Sequence, residues 1–336
     1  MVESPTTVPS IKSFPVLPAH AFRVIGGANE GDYLSVSDDM MLDDVYVLPT
    51  ETSPISLSLC LMAERITVAQ DSELGTTGAR VHIDCAIMLM ADGVNVTEAL
   101  VFAEVDDSDH LTQVYLLPLA PLRPKCHYRL VGITRDGLDK KLAHLSCVSL
   151  TRGTRISLST GRQVAVEDLS VGDLILTRDD GAQPLRWIGQ MTQRASGAFA
   201  PIRIAAGALN NLDDLVVSPD HRLFIYQRSD RIGAGRPELL IRARHLENGS
   251  TVTVETGGFV DYFQLLFDTH QIVFAEGIAT ESMQVDGTTV SLLDGSLYDE
   301  FSRQPLGARE IDGLDVQRAL LDRPDVVSLL RHATKG

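Results

Sequence analysis

Short runs of alternating apolar and polar residues dominate the chain, and turn-forming residues punctuate them. Val81, Ile83, Cys85 and Ile87 recur with a period of two, the pattern of a half-buried strand. Asp92-Gly93 follows, a dipeptide suited to a tight hairpin turn, and residues 94–105 read as the returning strand. Residues 114–117 and 128–131 add two more short strands. The pattern predicts a small antiparallel β-sandwich over residues 26–146. Residues 1–25, rich in Pro, Ser and Thr, predict a flexible, extended arm.

From Cys147 the same style continues. Thr160-Gly161, Gly172-Asp173, Asp179-Asp180-Gly181, Asn248-Gly249 and Gly257-Gly258 mark turns. Apolar runs such as Leu174-Ile175-Leu176, Leu239-Leu240-Ile241 and Leu265-Leu266-Phe267 lie between them. Many turns without long helical periods argue for an all-β domain over residues 147–288. Helical periodicity enters only in a tail over residues 289–336. There Val316, Leu320 and Leu321 form a stripe, Pro324 interrupts, and Val326, Val327, Leu329 and Leu330 continue it. This predicts short helices on the surface or at an oligomer contact. No repeat of fixed period is visible.

Composition narrows the function classes. The 336 residues suit two domains, and 44% apolar content suffices for packed cores. A formal charge of -16 opposes nucleic-acid binding, because such a surface repels phosphate backbones. Four cysteines, Cys60, Cys85, Cys126 and Cys147, are too few for a disulfide scaffold. Cys126-His127 and His144-x-x-Cys147 fit no common zinc spacing, so no metal and no cofactor are expected. The N-terminus lacks a basic start followed by an apolar core. No apolar run approaches the ~18 residues of a membrane span. The expected location is the cytoplasm, or outside the cell by a route without a standard signal peptide.

Cys147 opens the second block, and a thiol at that point suits one reaction. It attacks the carbonyl just before it and turns its own peptide bond into a thioester. A leaving amide nitrogen needs a proton, and a histidine is suited to give one. An isolated cysteine is more often a small core residue. Gly172-Asp173 reads as turn chemistry.

The order of motifs from Cys147 to about Ser282 resembles the Hint domain, the module shared by hedgehog autoprocessing domains and inteins, in its bacterial subgroup. The resemblance rests on Cys147 ahead of Gly153-Thr154-x-Ile156 and on Glu167-Asp168-Leu169 with Gly172-Asp173. It rests also on Ser218-x-x-His221, where the family has Thr-x-x-His, and on His270 ahead of an apolar run and Gly277. The stretches 183–189 and 203–209 look like the bacterial subgroup as well. The resemblance implies a horseshoe-like all-β fold with the opening cysteine close to the Ser218/His221 motif. It implies a catalytic set of Cys147 as nucleophile, His221 as acid, Ser218 as orienting hydroxyl and His270 as assistant to a second step, with Glu276 and Glu281 as further candidates.

The chain also departs from that family. The stretch 276–282 has no Asn to cyclise, no cysteine follows Cys147, and no aspartate near Gln190-Met191-Thr192 answers the sterol-activating one. Splicing and sterol transfer are therefore not expected. What remains is an N-to-S acyl shift at Ser146–Cys147, resolved by water or another small nucleophile of unknown identity. The partner is then the chain's own N-terminal segment, which is released. The alternative is a catalytically silent Hint-fold module carrying a binding β domain.

Overall fold

The computed structural model describes residues 10–48, 52–62, 65–93, 95–286, 289–293, 295–303, 314–316 and 318–335. The chain divides into two units. One comprises residues 1–146, 196–198 and 286–305, and the other residues 147–195, 199–285 and 306–336.

In the first unit, nine strands among the described residues form one antiparallel sheet. They are β1 (Ser10–Pro18), β2 (Arg23–Gly26), β3 (Val45–Val47), β4 (Ile55–Met62), β5 (Arg65–Val68), β6 (Arg80–Ala91), β7 (Asn95–Val105), β8 (Leu111–Pro118) and β9 (His127–Thr134). Their order is β2-β3-β9-β6-β5-β4-β1-β8-β7, and β7 pairs back onto β6. The ring β6-β5-β4-β1-β8-β7 is therefore closed. The unit is a barrel where a two-layer sandwich was expected. Alternation alone does not distinguish the two, because each buries one side of every strand. Closure needs strong local bending, which the bulges at Ile83/Cys85 and Glu104/Val105 supply. The far edge of β6 is shared: β5 pairs at Arg80 and Val81, and β9 pairs from Ala86 to Ala91.

Asp92 and Gly93 both have positive φ, 52° and 69°, as the hairpin turn between β6 and β7 requires; Val94 lies outside the described residues. The expected flexible arm is corrected from residue 10 onward, while residues 1–9 lie outside the described residues. β1 pairs with β4 over Ser10–Val16 and with β8 at Leu17 and Pro18. Phe14 and Val16 alternate inward and are buried, a period of two hidden among prolines and serines.

One core collects Phe14, Leu57, Leu59, Leu61, Phe102, Tyr115 and Leu117 from barrel strands and forms the barrel interior. Residues of opposite parity, among them Ile87, Leu89, Val101 and Leu116, join Phe22, Tyr46 and Tyr128 in a second core. Helix α1 (Leu138–Ser146) follows β9. Its Leu138 and Leu142, one turn apart, enter the interior core.

Among the described residues, the second unit holds a two-stranded sheet and two six-stranded ones, built mostly of short strands. One runs Trp187–Arg194, Phe259–Leu266, Leu150–Thr151, Leu215–Val217, Ile202–Ile204, Val252–Val254. The other runs Gln163–Ala165, Arg155–Ser157, Ile272–Ala275, Ile278–Glu281, Arg222–Tyr226, Glu238–Arg242. Leu150, Val217 and Phe263 from the first sheet share a core with Ile156, Leu223, Ile241 and Val273 from the second. The molecule is thus mainly β, with a barrel and several antiparallel sheets. Among the described residues three short helices follow: α2 (Gly295–Arg303), α3 (Arg318–Leu321) and α4 (Val326–Lys335). Leu321, Val326, Val327 and Leu330 join the core of the second unit, so the stripe read from the tail is a core face. Among the described residues, no helix is long and apolar enough to cross a membrane.

Candidate active site

The strand Leu150–Thr151 is flanked on both edges. Leu150 pairs with Val217 on one side and with Phe263 on the other. Antiparallel pairing then puts the residue before Leu150 opposite the residue after Val217. Those residues are Ser149 and Ser218. The Ser149 N–H donates to Ser218 Oγ at 3.0 Å, and the Ser149 carbonyl accepts the Ser218 N–H at 2.9 Å. Gln264, from the other flanking strand, donates through Nε2 to Ser149 Oγ at 2.8 Å. All three polar groups of Ser149 are held, and the residue is 1% exposed.

Ser218 also opens the turn that delivers His221. Pro219 follows it, which suits the second position of a β-turn, and the His221 N–H donates to the Ser218 carbonyl at 3.0 Å. Asp220 is tied to Arg242 Nη1 at 3.1 Å and to Arg244. The turn carries the imidazole into the interior, where His221 is buried. Its Nε2 hydrogen-bonds with Thr280 Oγ1, and Thr280 Oγ1 donates to the Arg222 carbonyl at 3.2 Å. Its Nδ1 has no hydrogen-bond partner among the described residues. Burial pushes the imidazole down from 6.5 to about 4; Glu281 and the Ser149 backbone oppose the shift, and the Arg222 charge adds to it. His221 is therefore neutral at pH 7.

Behind this pair lies a buried ionic group. The Arg222 N–H and Nε donate to Glu281 at 2.9 and 2.8 Å. Arg222 Nη1 reaches Asp315 at 3.0 Å, and His270 Nε2 lies 3.5 Å from Glu281 Oε2. Burial alone would raise the Glu281 carboxyl. The Arg222 guanidinium and the His270 contact outweigh it and hold the group well below the usual carboxylate range. Thr280 and Glu281 are adjacent on one strand, so the network continues from His221 to His270.

Among the residues singled out from sequence, the structure brings Ser218 and His221 into one cluster and joins His270 to it through Glu281 and Arg222. Glu276 sits elsewhere in the fold pattern. It occupies a hairpin turn with φ 49°, and its carboxylate accepts the Arg155 N–H at 2.6 Å. Cys147 is 4% exposed and lies two residues before Ser149. Ser218 exchanges two hydrogen bonds with Ser149. Ser149, Gln264, Thr280 and Arg222 are among the participants that the sequence did not single out. For Ser149 a signal existed, since the Leu150–Val217 pairing sets it opposite Ser218, but that pairing joins segments some 69 residues apart.

Residues 148–287 match the family model described as the Hint domain. Among solved structures the chain is similar to the gp41-1 intein, at 10% identity and TM-score 0.25, covering 40% of this chain and 97% of that one. It is similar also to variant M86 of the Ssp DnaB mini-intein, at 16% identity and TM-score 0.28, covering 40% and 95%. Scores this low add nothing to the family match. No curated protein matches the chain.

Proposed function

The chain carries a Hint domain over residues 148–287, and from that premise we propose that it cleaves its own backbone at Val148–Ser149 through an N-to-O acyl shift. The nucleophile in this reading is Ser149 Oγ, two residues downstream of the cysteine that the sequence suggested. One observation carries it: Ser218 of the motif engages Ser149, accepting its N–H at 3.0 Å and donating its own N–H to the Ser149 carbonyl at 2.9 Å.

The proton assignments follow from the hydrogen bonds. Thr280 Oγ1 gives its only proton to the Arg222 carbonyl. In this reading it accepts from His221, which puts the imidazole proton on Nε2. Nδ1, on the same reading, carries the lone pair that takes the Ser149 hydroxyl proton. Gln264 Nε2 donates into one lone pair of Ser149 Oγ and leaves the hydroxyl proton available. Oγ attacks the Val148 carbonyl carbon through a five-membered ring, and its proton passes to His221 Nδ1. As the tetrahedral adduct collapses, the C–N bond breaks and Nδ1–H returns the proton to the departing Ser149 nitrogen. The Ser149 N–H bond to Ser218 Oγ holds that nitrogen in place. The product is an ester joining the Val148 acyl group to Ser149 Oγ, with a free amine on Ser149. Water or another small nucleophile then cleaves the ester, and Oγ recovers a proton. Arg222, Glu281 and His270 act as positioning residues that fix the strand bearing Thr280.

Burial of Ser149 favours a second reading, a silent Hint-fold module, because an external acceptor has no open approach. The shift itself needs no external reactant, so burial delays only the resolving step. The test is intact mass and N-terminal sequencing of freshly made chain, with and without hydroxylamine. Wild type and Cys147→Ala yield a fragment beginning Ser149-Leu150-Thr151, and Ser149→Ala stays whole. A wild-type chain that remains whole under every condition supports the silent module. A fragment beginning at Cys147 restores the thiol as nucleophile.

A further inference from the structure

Residues 286–305 lie at and beyond the end of the Hint match, which stops at residue 287, yet they belong to the barrel unit, as do residues 196–198 from within the match. The stretch begins with a reciprocal cap. Asp286 Oδ1 accepts the Thr289 N–H at 2.8 Å, and Thr289 Oγ1 accepts the Asp286 N–H at 2.8 Å. The turn Thr289–Leu292 then packs on α1, and α2 packs on the turn. Leu292, Leu293 and Phe301 are all buried. Val290, Ser291 and Tyr298, with Leu138 and Leu142 of α1, line a cavity of about 1130 Å³. Those leucines are rooted in the barrel core. At Gly197 the backbones are so close that a Cβ would lie 3.1 Å from Ala120 Cα.

We propose that residues 286–305 are a clasp that keeps the two products of self-cleavage together. The inference rests on the scission at Val148–Ser149. Cutting there leaves α1 and the barrel on the N-terminal product, and leaves residues 286–305 on the C-terminal product while they remain folded into the barrel unit. Residues 196–198 add a second attachment of the same kind. Scission therefore yields a nicked heterodimer whose partner for the barrel is the fragment it was cut from. Liberation of the barrel requires a separate event that opens the clasp.

The test uses the full chain with an N-terminal affinity tag and a flexible, protease-cleavable cassette inserted between Ser146 and Cys147, so that it does not depend on self-cleavage. After cutting, a denaturing gel reports two fragments. Size exclusion without denaturant returns them in one peak at the volume of the uncut chain, and the tag retains both. The variant Leu292→Asp with Phe301→Ala weakens the association on the order of a hundred-fold or more, so the cut fragments part on dilution. Its uncut form elutes where the uncut wild type does, which separates loss of the clasp from loss of the fold. Wild-type fragments that separate once cut overturn the clasp. So do variant fragments that stay together as tightly as wild type. The chain without the cassette, run alongside, reports self-cleavage on its own, and its failure to cut leaves the clasp result standing.

Discussion

The protonation state of His221 leads to the sharpest prediction, because acid and base roles give opposite pH–rate profiles. Burial brings the imidazole down to about 4, so at pH 7 only about one molecule in a thousand carries imidazolium. If the shift required His221 to enter already protonated, its rate would fall tenfold per pH unit, roughly a hundred-fold from pH 6 to pH 8. If neutral Nδ1 receives the Ser149 hydroxyl proton and then returns it to nitrogen, the active form is fully populated across that range. The rate then changes less than about twofold. His221→Ala removes both transfers and slows the shift by roughly 10²–10⁴. The assay takes chain from cell-free synthesis, dilutes it into buffers from pH 6 to 8, and raises hydroxylamine until the rate no longer depends on it. That makes the intramolecular step limiting. Fragments are counted by intact mass. A hundred-fold decline across the window would refute the base assignment and the tautomer inferred from Thr280.

Four further outcomes follow from the same residues. Ser149→Cys gives a thioester in place of the ester, so dithiothreitol accelerates fragment appearance in the variant and not in wild type; equal response in both would argue against Ser149 as nucleophile. His221 stays neutral in the fold and titrates at 6.5 when unfolded. Its contribution is full above pH 6.5 and is lost as pH falls toward 4, by roughly 3 kcal/mol in total; urea melts of His221→Gln show a flatter dependence over that window, and equal slopes would refute it. Glu281→Gln leaves the Arg222 charge poorly compensated in the interior and costs about 3–5 kcal/mol in urea unfolding, most of which Arg222→Met combined with Glu281→Leu restores; simple additivity of the two sites would contradict the coupling. Cys147, buried at 4% exposure, alkylates more slowly near neutral pH than the half-buried Cys60 and Cys126, and fastest labelling at Cys147 would return attention to the thiol.

What was legible in the sequence was local. The Val81–Ile87 alternation and the Asp92-Gly93 turn depend on neighbouring residues, and β6 with its hairpin forms as read. The Ser218/His221 pair was visible because one β-turn holds both ends of the motif. Closure of the barrel was not legible, because pairing of β7 with β6 on one side and β8 on the other is compatible with open and closed sheets alike. Gln264 and Thr280 were not legible either. They reach the site from strands 115 residues beyond Ser149 and 59 beyond His221, and a Gln or Thr on a short strand carries no mark of chemistry. Cys147 drew attention because thiols are intrinsically better nucleophiles than hydroxyls. Position favours Ser149 in the proposed reading: it lies opposite Ser218 and exchanges two hydrogen bonds with it.

The burial that makes Ser149 a poor target for outside reagents is consistent with the chemistry assigned to it. An intramolecular shift needs a fixed hydroxyl, a fixed amide nitrogen and a dry imidazole of low basicity, and solvent at that stage would loosen all three. Resolution needs the opposite, since water or another acceptor has to reach the ester carbonyl. The two steps therefore place contrary demands on one site, and a rigid core meets only the first. In the proposed path, ester formation relieves part of this conflict by converting the Ser149 amide, just before the strand Leu150–Thr151, into an amine. The bond to Ser218 Oγ changes character once that nitrogen becomes an amine, and the residue before Leu150 gains freedom that the peptide lacked. Access follows from the first step, and the rate of the second reports how readily residues 148 and 149 leave their strand position. A protein in which the ester accumulates at low temperature, and in which hydroxylamine and water resolve it with the same limiting rate, would locate the barrier in that opening; rates that scale with nucleophile strength at every concentration would locate it in the attack.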